Sequence, residues 1–465
     1  MSALINPTFW LLLAVLAVAI GARGRRDTRL AALLDAAASW PVLVLVGAMA
    51  ASNVAARTLI GLAVPGDFVQ EVVAARSFQS EGTLYTRDIN QDVEQWLKAE
   101  PPFVPSWLPD PLQRYLRERQ AIGRNRLVAQ AHPPTLLVAV APWIWWFGAD
   151  VTYILLSLAS IAAGVIASQL LIAAWNPAPS PAERWLTALA VVSWQPVLAS
   201  VRDGQVSVII GGLLVAAWSA CRNGRFVPGG VVVGMASALK LYPAVILVLL
   251  AVRQRAAHAA AVSVLVAAGV FATLIGGVQI WAEYFASAQA IGRSFAAASH
   301  NLAIVARVAP ATTPDWLPFW YAAVCAGLLS VTLLAIGSDK WTDRRTFSMD
   351  LDFGLFICLA MLLSPVAWQH YTFMLIQPLA VTLVVARRAS QRWPLVCWTL
   401  AVLVLTLPDD AIRQMWKALS PSGVVLGLFS PGIVVLLLWG SLVYLRLSRS
   451  ADGAVRVGAV ATASV

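Results

Sequence analysis

Charge is scarce in this 465-residue chain: Asp, Glu, Lys and Arg together make up 12%, against 59% hydrophobic residues and a mean hydropathy of +0.74. Soluble globular domains carry about a quarter charged residues. That class is excluded, and the composition is that of a polytopic membrane protein. Cysteine is equally sparse. Cys221, Cys325, Cys358 and Cys397 stand singly, mostly inside apolar runs, which excludes a disulfide framework or thiolate metal site and leaves core filling. No CxxC, HExxH, P-loop, GxSxG or GxGxxG pattern is present. No Asp-x-Asp pair points to a metal-bound nucleotide sugar, and Asp409-Asp410 read as a solvated turn. There is no polar stretch for a separate nucleotide-binding domain. Internal repeats, the usual mark of a transporter, are absent too.

What the chain does have is a set of apolar runs punctuated by short basic clusters. The net charge is +10. In a soluble protein that would suggest nucleic acid; here the clusters set membrane orientation, and no nucleic-acid partner is expected. Examples are Arg23/Arg25/Arg26/Arg29, Arg222/Arg225, Arg253/Arg255, Lys340/Arg344/Arg345, Arg387/Arg388/Arg392 and Arg446/Arg449. Trp is abundant, with 20 residues, many near run ends where interfacial belts form. The run Phe9 to Ala22 has no basic stretch before it and no small-residue cleavage site after it, so it reads as a retained first helix.

Segment 8–21 ends in GARGRRDTR and is expected to end in the cytoplasm; segment 37–62 then leads outward. Residues 63–132 follow as one long external loop. It carries amphipathic stretches at 68–80 and 110–130, expected to lie on the membrane surface, with a Pro-rich stretch between them. The run 133–148 is short for a crossing, which takes about 20 residues. Further segments occupy 151–175, 185–200, 206–221 and 229–252. Two topologies are open here. If every run crosses, VRDGQ is internal and CRNGRF external, against the basic bias. If 133–148 is a surface or re-entrant arm, the sides reverse, and 229–252 must be a hairpin broken at Lys240-Leu241-Tyr242-Pro243. The second arrangement is preferred. Segment 258–280 leads to a second external loop at 281–315. Segments 316–337, 351–367, 372–386, 394–408 and 422–446 complete a single membrane domain over 1–465, with a cytoplasmic tail at 447–465. The fold class expected is all-α, with about 11–13 transmembrane helices.

Polar groups that a membrane tolerates poorly are the candidate site residues. Asp67 stands where segment 37–62 leaves the bilayer, and reads either as the N-cap of FVQEVVAARSF or as a catalytic base. Lys240, inside VVVGMASALKLYPAVILVLL, needs a partner, a phosphate or water, unless it snorkels to an interface. Arg202 and Gln205 start a span, and His370 sits in a turn between two spans. Ser299-His300-Asn301 opens an apolar patch in the second loop. Three of the four histidines, His132, His300 and His370, map to the same side as Asp67. The arginines of 110–130, Arg126 among them, suit either headgroups or the phosphate of a lipid substrate.

Taken in order, several short motifs resemble those of the polyprenol-phosphate-sugar-dependent glycosyltransferases of family 87, which have a C-type (GT-C) membrane fold. These are Asp67 with Gly82-Thr83-Leu84-Tyr85; Pro133-Pro134 before an apolar helix; Gly204-Gln205; GMASALKLYP from Gly234 to Pro243; Asn301 with Arg307; and SPVAWQH from Ser364 to His370. Tyr371 follows where many relatives have a second His. The resemblance covers about residues 60–380. It implies an inverting transfer of a sugar, typically mannose, from a polyprenyl-phosphate donor to a glycolipid or envelope-glycan acceptor, on the external face of the bacterial cytoplasmic membrane. Asp67 would be the general base. Lys240, His370, Gln205, His132, Tyr85, Asn301 and Arg126 would bind substrate, with no metal and no cofactor beyond the donor itself. A lipid-linked-glycan transporter or flippase is the competing class, and an envelope scaffold a third.

Overall fold

In the computed structural model the described residues are 40–63, 66–85, 132–295, 317–337, 347–407 and 431–448, with single positions between 92 and 130 and residues 301 and 303. Among them there are helices and no strands. In lipid each backbone polar group must be satisfied within its own segment, so apolar runs become helices. Five described helices are long and apolar enough to cross a membrane, and further apolar helices of 10–17 residues accompany them. Side chains such as Phe271, Leu274 and Leu334 are exposed on these helices, as lipid-facing positions require. The protein is an all-α polytopic membrane protein.

Two compact units are present. The first comprises Met1–Gly212 with Ile275–Ser287, the second Leu213–Leu274 with Ala288–Val465.

In the first unit, α1 (Trp40–Ala63) leads through Gly66 and Asp67 into α2 (Val69–Glu81). Helix α2 is the first helix expected in the 63–132 interval, but it is enclosed instead of lying apolar face down. Every residue from Val69 to Ala75 is buried, polar Gln70 and Glu71 included. It packs along α3 (Pro134–Trp175), and the Trp145 indole donates to the Ala75 carbonyl at 2.9 Å. Helix α3 begins with Pro at its first position, where the missing N–H costs nothing. Gly148, with φ 80° and ψ 168°, breaks it into two arms. Residues on either side of the first arm reach the segment 201–205: His132 approaches Gln205, and Tyr153, in the second arm, donates its hydroxyl to the Val201 carbonyl. The break at Gly148 falls where the sequence reading divides the 133–148 run from the 151–175 segment. The chain returns through α4 (Pro181–Val192), started by a Ser180/Glu183 capping box, and α5 (Gln195–Asp203).

The second unit receives α6 (Ser207–Arg222), which begins in the first unit. It then forms α7 (Phe226–Leu239), a 3₁₀ turn (Tyr242–Val245), α8 (Ile246–Arg253) and α9 (Arg255–Gly276). The break falls at Lys240, which is extended (φ −150°, ψ 139°) ahead of Pro243. Helix α10 (Gln279–Phe295) runs from the first unit into the second. The interval 281–315, expected as a loop, thus opens as helix. After α11 (Leu317–Ile336) comes α12 (Phe347–Leu362), buried almost throughout, followed by a 3₁₀ segment (Gln369–Leu375), α13 (Ile376–Arg388), α14 (Arg392–Thr406) and α15 (Pro431–Leu447). Helix α12 is the axis on which α8, α11, α13 and α15 pack.

Its first turn gathers three arginines. Asp352 is bridged by Arg253 at 2.8 Å and by Arg446 at 3.0 Å, and both arginines also donate to the Ile336 carbonyl. Asp350 accepts from Trp218 at 2.9 Å, with Arg222 at 3.7 Å. Arg222 and Arg253, the two ends of the 226–253 interval, therefore meet carboxylates two residues apart. The residues flanking the interval are thus drawn to one turn of α12. Gly230 and Gly234 let α7 close on α9: a Cβ at Gly234 would lie 2.6 Å from the Ala261 carbonyl oxygen.

Candidate active site

In the first unit the site is built where two tight turns interlock. Gly204, with φ 65°, ends α5, and its residues are tied by Gln205 N–H to the Ser200 carbonyl at 2.9 Å. A Cβ on Gly204 would fall 2.5 Å from Phe68 Cβ, and one on Gly66 would fall 2.7 Å from Asp203 Cα. Glycine at both positions lets the Phe68 N–H donate to the Asp203 carbonyl at 3.0 Å. This clasp brings together residues far apart in sequence.

Asp67, half-buried, emerges from it. The N-cap of α2 is Phe68, without a side-chain capping bond. The Asp67 carboxylate is engaged elsewhere: Gln205 Nε2 donates to Oδ2 at 2.9 Å. The same amide nitrogen lies 3.5 Å from His132 Nε2, and His132 Nδ1 lies 2.8 Å from Glu71 Oε1. Gln205, His132 and Glu71 are 2%, 3% and 2% exposed, so this relay runs inside the protein and reaches the surface only at Asp67. Tyr85 supports it from the other side, its hydroxyl donating to the His132 carbonyl at 2.6 Å. Burial, followed by the nearby Tyr284 and Glu283, pushes the Tyr85 phenol well above its ordinary pKa, and it serves as a neutral donor.

Four residues named from sequence, Asp67, Gln205, His132 and Tyr85, thus fall in one cluster. Glu71 was not among them. Its signal was a carboxylate inside VQEVV, the rule that singled out Lys240, but the stretch read as a surface helix.

In the second unit Lys240 and His370 form another cluster. Lys240 is 4% exposed and does not snorkel. Its Nζ lies 3.1 Å from the Tyr371 hydroxyl and 4.3 Å from that ring's centre. Tyr242 packs against Tyr371 at 5.0 Å, and His370 meets it edge-on at 4.8 Å. Asn301, fully buried, spends its amide on backbone: Nδ2 donates to the Phe295 and Pro365 carbonyls, and Oδ1 accepts from the Ala303 and Ala367 N–H groups. It holds its own segment against the SPVAWQH stretch. Arg126, His300 and Arg307 lie outside the described residues.

Buried polar relays inside an all-α membrane protein, one of them ending on a half-open carboxylate, are the equipment of a membrane-embedded enzyme. The comparisons with known proteins give the class. The family described as Glycosyltransferase family 87 matches residues 131–365, half of the chain, and the chain belongs to that family. It is a glycosyltransferase, and the transporter and scaffold readings fall away. It is similar to the "Polyprenol-phosphate-mannose-dependent alpha-(1-2)-phosphatidylinositol mannoside mannosyltransferase" of Mycolicibacterium smegmatis, 27% identical over 337 residues, which cover 65% of this chain and 74% of the relative. The protein of the same description from Mycobacterium tuberculosis is 27% identical over 316 residues, 61% of this chain and 69% of that one. No solved structure matches.

Proposed function

We propose that the protein transfers a mannosyl group from a polyprenyl-phosphate donor to a glycolipid acceptor of the phosphatidylinositol-mannoside kind, with Asp67 as general base. The donor and acceptor classes rest on the descriptions of the two mycobacterial relatives. The observation that carries the base is the grip of Gln205 on a half-open Asp67 at 2.9 Å, backed by buried His132. An acceptor hydroxyl oxygen attacks the anomeric carbon while its proton passes to Asp67. The bond from that carbon to the phosphate oxygen breaks, and polyprenyl phosphate leaves with the electron pair. Displacement inverts the centre, so a β-linked donor yields an α-linked product. Lys240 and His370 are the proposed ligands of the donor phosphate, since a fixed cation stabilises charge that develops as the phosphate departs. The reaction side is proposed to be external to the bacterial cytoplasmic membrane. The support is charge bias: Gln205 precedes α6, whose far end carries Arg222 in the basic cluster with Arg253 and Arg446.

The test is Asp67→Asn in purified protein given synthetic polyprenyl-phosphate mannose and a phosphatidylinositol-mannoside acceptor. Loss of a general base costs roughly 10²–10⁴-fold. Transfer above about a tenth of wild type would remove Asp67 from this role.

A further inference from the structure

We propose, on the strength of the mannosyl-transfer reading above, that Glu283 is a sugar-recognition residue: its outer oxygen accepts hydroxyl protons from a mannosyl ring that packs on the aromatic side chains beside it. Glu283 lies near the start of α10, in the part of that helix that belongs to the first unit. Its Oε2 accepts from the Thr83 hydroxyl at 3.0 Å, and that hydroxyl oxygen accepts the Tyr85 N–H at 3.2 Å. One helical turn on, the Ser287 hydroxyl donates to the Gln130 carbonyl at 2.6 Å. These two bonds pin one face of α10 to the chain around Tyr85. Tyr85 in turn donates its hydroxyl to the His132 carbonyl at 2.6 Å, beside the Gln205 amide that holds Asp67. The first unit thus has a second half-buried carboxylate, joined to the candidate base through Tyr85.

Pinning a helix does not require a carboxylate. One amide oxygen would take the Thr83 proton equally well. Glu283 keeps a charge that no Lys or Arg bridges among the described residues. Its Oε1 carries no hydrogen bond there and is not enclosed, which leaves a charged acceptor open to a ligand. Aromatic side chains surround it. The Tyr284 ring lies 6.1 Å from Tyr85, 6.5 Å from Trp281 and 5.3 Å from Phe285, which is 60% exposed. Apolar rings beside a charged acceptor suit a sugar ring, whose C–H face packs on the aromatics while its hydroxyls donate to the carboxylate. A cation would also suit a carboxylate, but neither substrate of the proposed transfer is cationic. Both are anionic lipids carrying neutral mannose, so a carboxylate repels the phosphate end and takes the sugar end.

The test compares purified wild-type protein with Glu283→Gln, which keeps an oxygen for Thr83 and loses only the charge and one acceptor. Substrates are synthetic polyprenyl-phosphate mannose and a phosphatidylinositol mannoside, each also as a series of monodeoxy-mannose analogues. Glu283→Gln is expected to lower kcat/KM by roughly tenfold or more, because charge-assisted bonds to hydroxyls become neutral ones. One deoxy position should cost the wild type roughly tenfold or more and the variant less than about threefold, since the partner of that hydroxyl is already weakened. Its place on the donor or on the acceptor tells which mannose Glu283 holds. A helix clamp alone predicts wild-type kinetics in Glu283→Gln and the same deoxy penalties in both proteins, and either result overturns the proposal. A second arm needs no variant to fold: a hydrophobic carbodiimide is expected to label Glu283 in the wild type, and one of the two substrates to protect it. An unlabelled Glu283, or labelling that neither substrate slows, overturns the proposal as well. Wild-type protein that moves no mannose between these substrates defeats the proposed function and this role together, whereas transfer with an indifferent Glu283→Gln defeats this role alone.

Discussion

Lys240→Met puts the second cluster to the test. Lys240 stands at the break of the hairpin between Arg222 and Arg253, 14 residues into its first arm, or about 21 Å of helix at 1.5 Å per residue. The ammonium is enclosed there and in contact with the Tyr371 hydroxyl and ring. Methionine keeps the length and the apolar stem but loses the charge. On the stability side, a cation–π contact of about 0.5–2 kcal/mol and a charge-assisted hydrogen bond of about 1.5–3 kcal/mol are lost. Relief of several kcal/mol of desolvation opposes that loss. The two nearly cancel, so the thermal midpoint in detergent is expected close to wild type. On the functional side nothing compensates. A hydrogen bond from a cation to the donor phosphate is worth about 1.5–3 kcal/mol, which converts to roughly 10–150-fold in kcat/KM for polyprenyl-phosphate mannose. Tyr371→Phe, which keeps the ring and removes only the hydroxyl, is expected to lose less. The assay is initial-rate transfer with synthetic donor at saturating acceptor, on protein shown to be folded by its melting curve. Donor kcat/KM within about threefold of wild type in a well-folded Lys240→Met would refute a phosphate role for this lysine and leave its burial without a functional reason.

Asp352→Asn should destabilise the second unit by about 3–5 kcal/mol, because buried Arg253 and half-buried Arg446 would be left around a neutral side chain; an unchanged melting curve in detergent would show that the arginines are satisfied by the Ile336 carbonyl alone. Single cysteines in a background without the four native ones should report the sides. One at Asp203 is expected to react with an external impermeant thiol reagent and one at Asn223 to be shielded, since these positions flank opposite ends of α6. The reverse pattern would put the Asp67 relay in the cytoplasm.

The existence and limits of most helices were legible without a structure. Segments 37–62, 258–280, 316–337 and 394–408 correspond to Trp40–Ala63, Arg255–Gly276, Leu317–Ile336 and Arg392–Thr406. The reason is local: a run that must hide its backbone from lipid forms a helix wherever it is long and apolar enough. The break at Lys240 was legible for the same kind of reason, since a residue three before Pro243 with a charge to place cannot continue an apolar helix. So were Asp67 and Lys240 as polar groups out of place. What local pattern does not carry is which distant groups meet. Asp67 and Gln205 lie 138 positions apart, and their contact depends on two glycines approaching to within a few ångströms. Helix α2 had the alternation of a surface helix, and only its packing on α3 shows Glu71 enclosed against His132. The four backbone bonds of Asn301, some to residues more than sixty positions away, were likewise not legible in the local sequence. Two topologies satisfied the same hydropathy, and the basic bias favoured the one with the 229–252 hairpin. That Arg222 and Arg253 meet carboxylates two residues apart is visible only in the folded chain, because hydropathy records depth and not which distant ends come together.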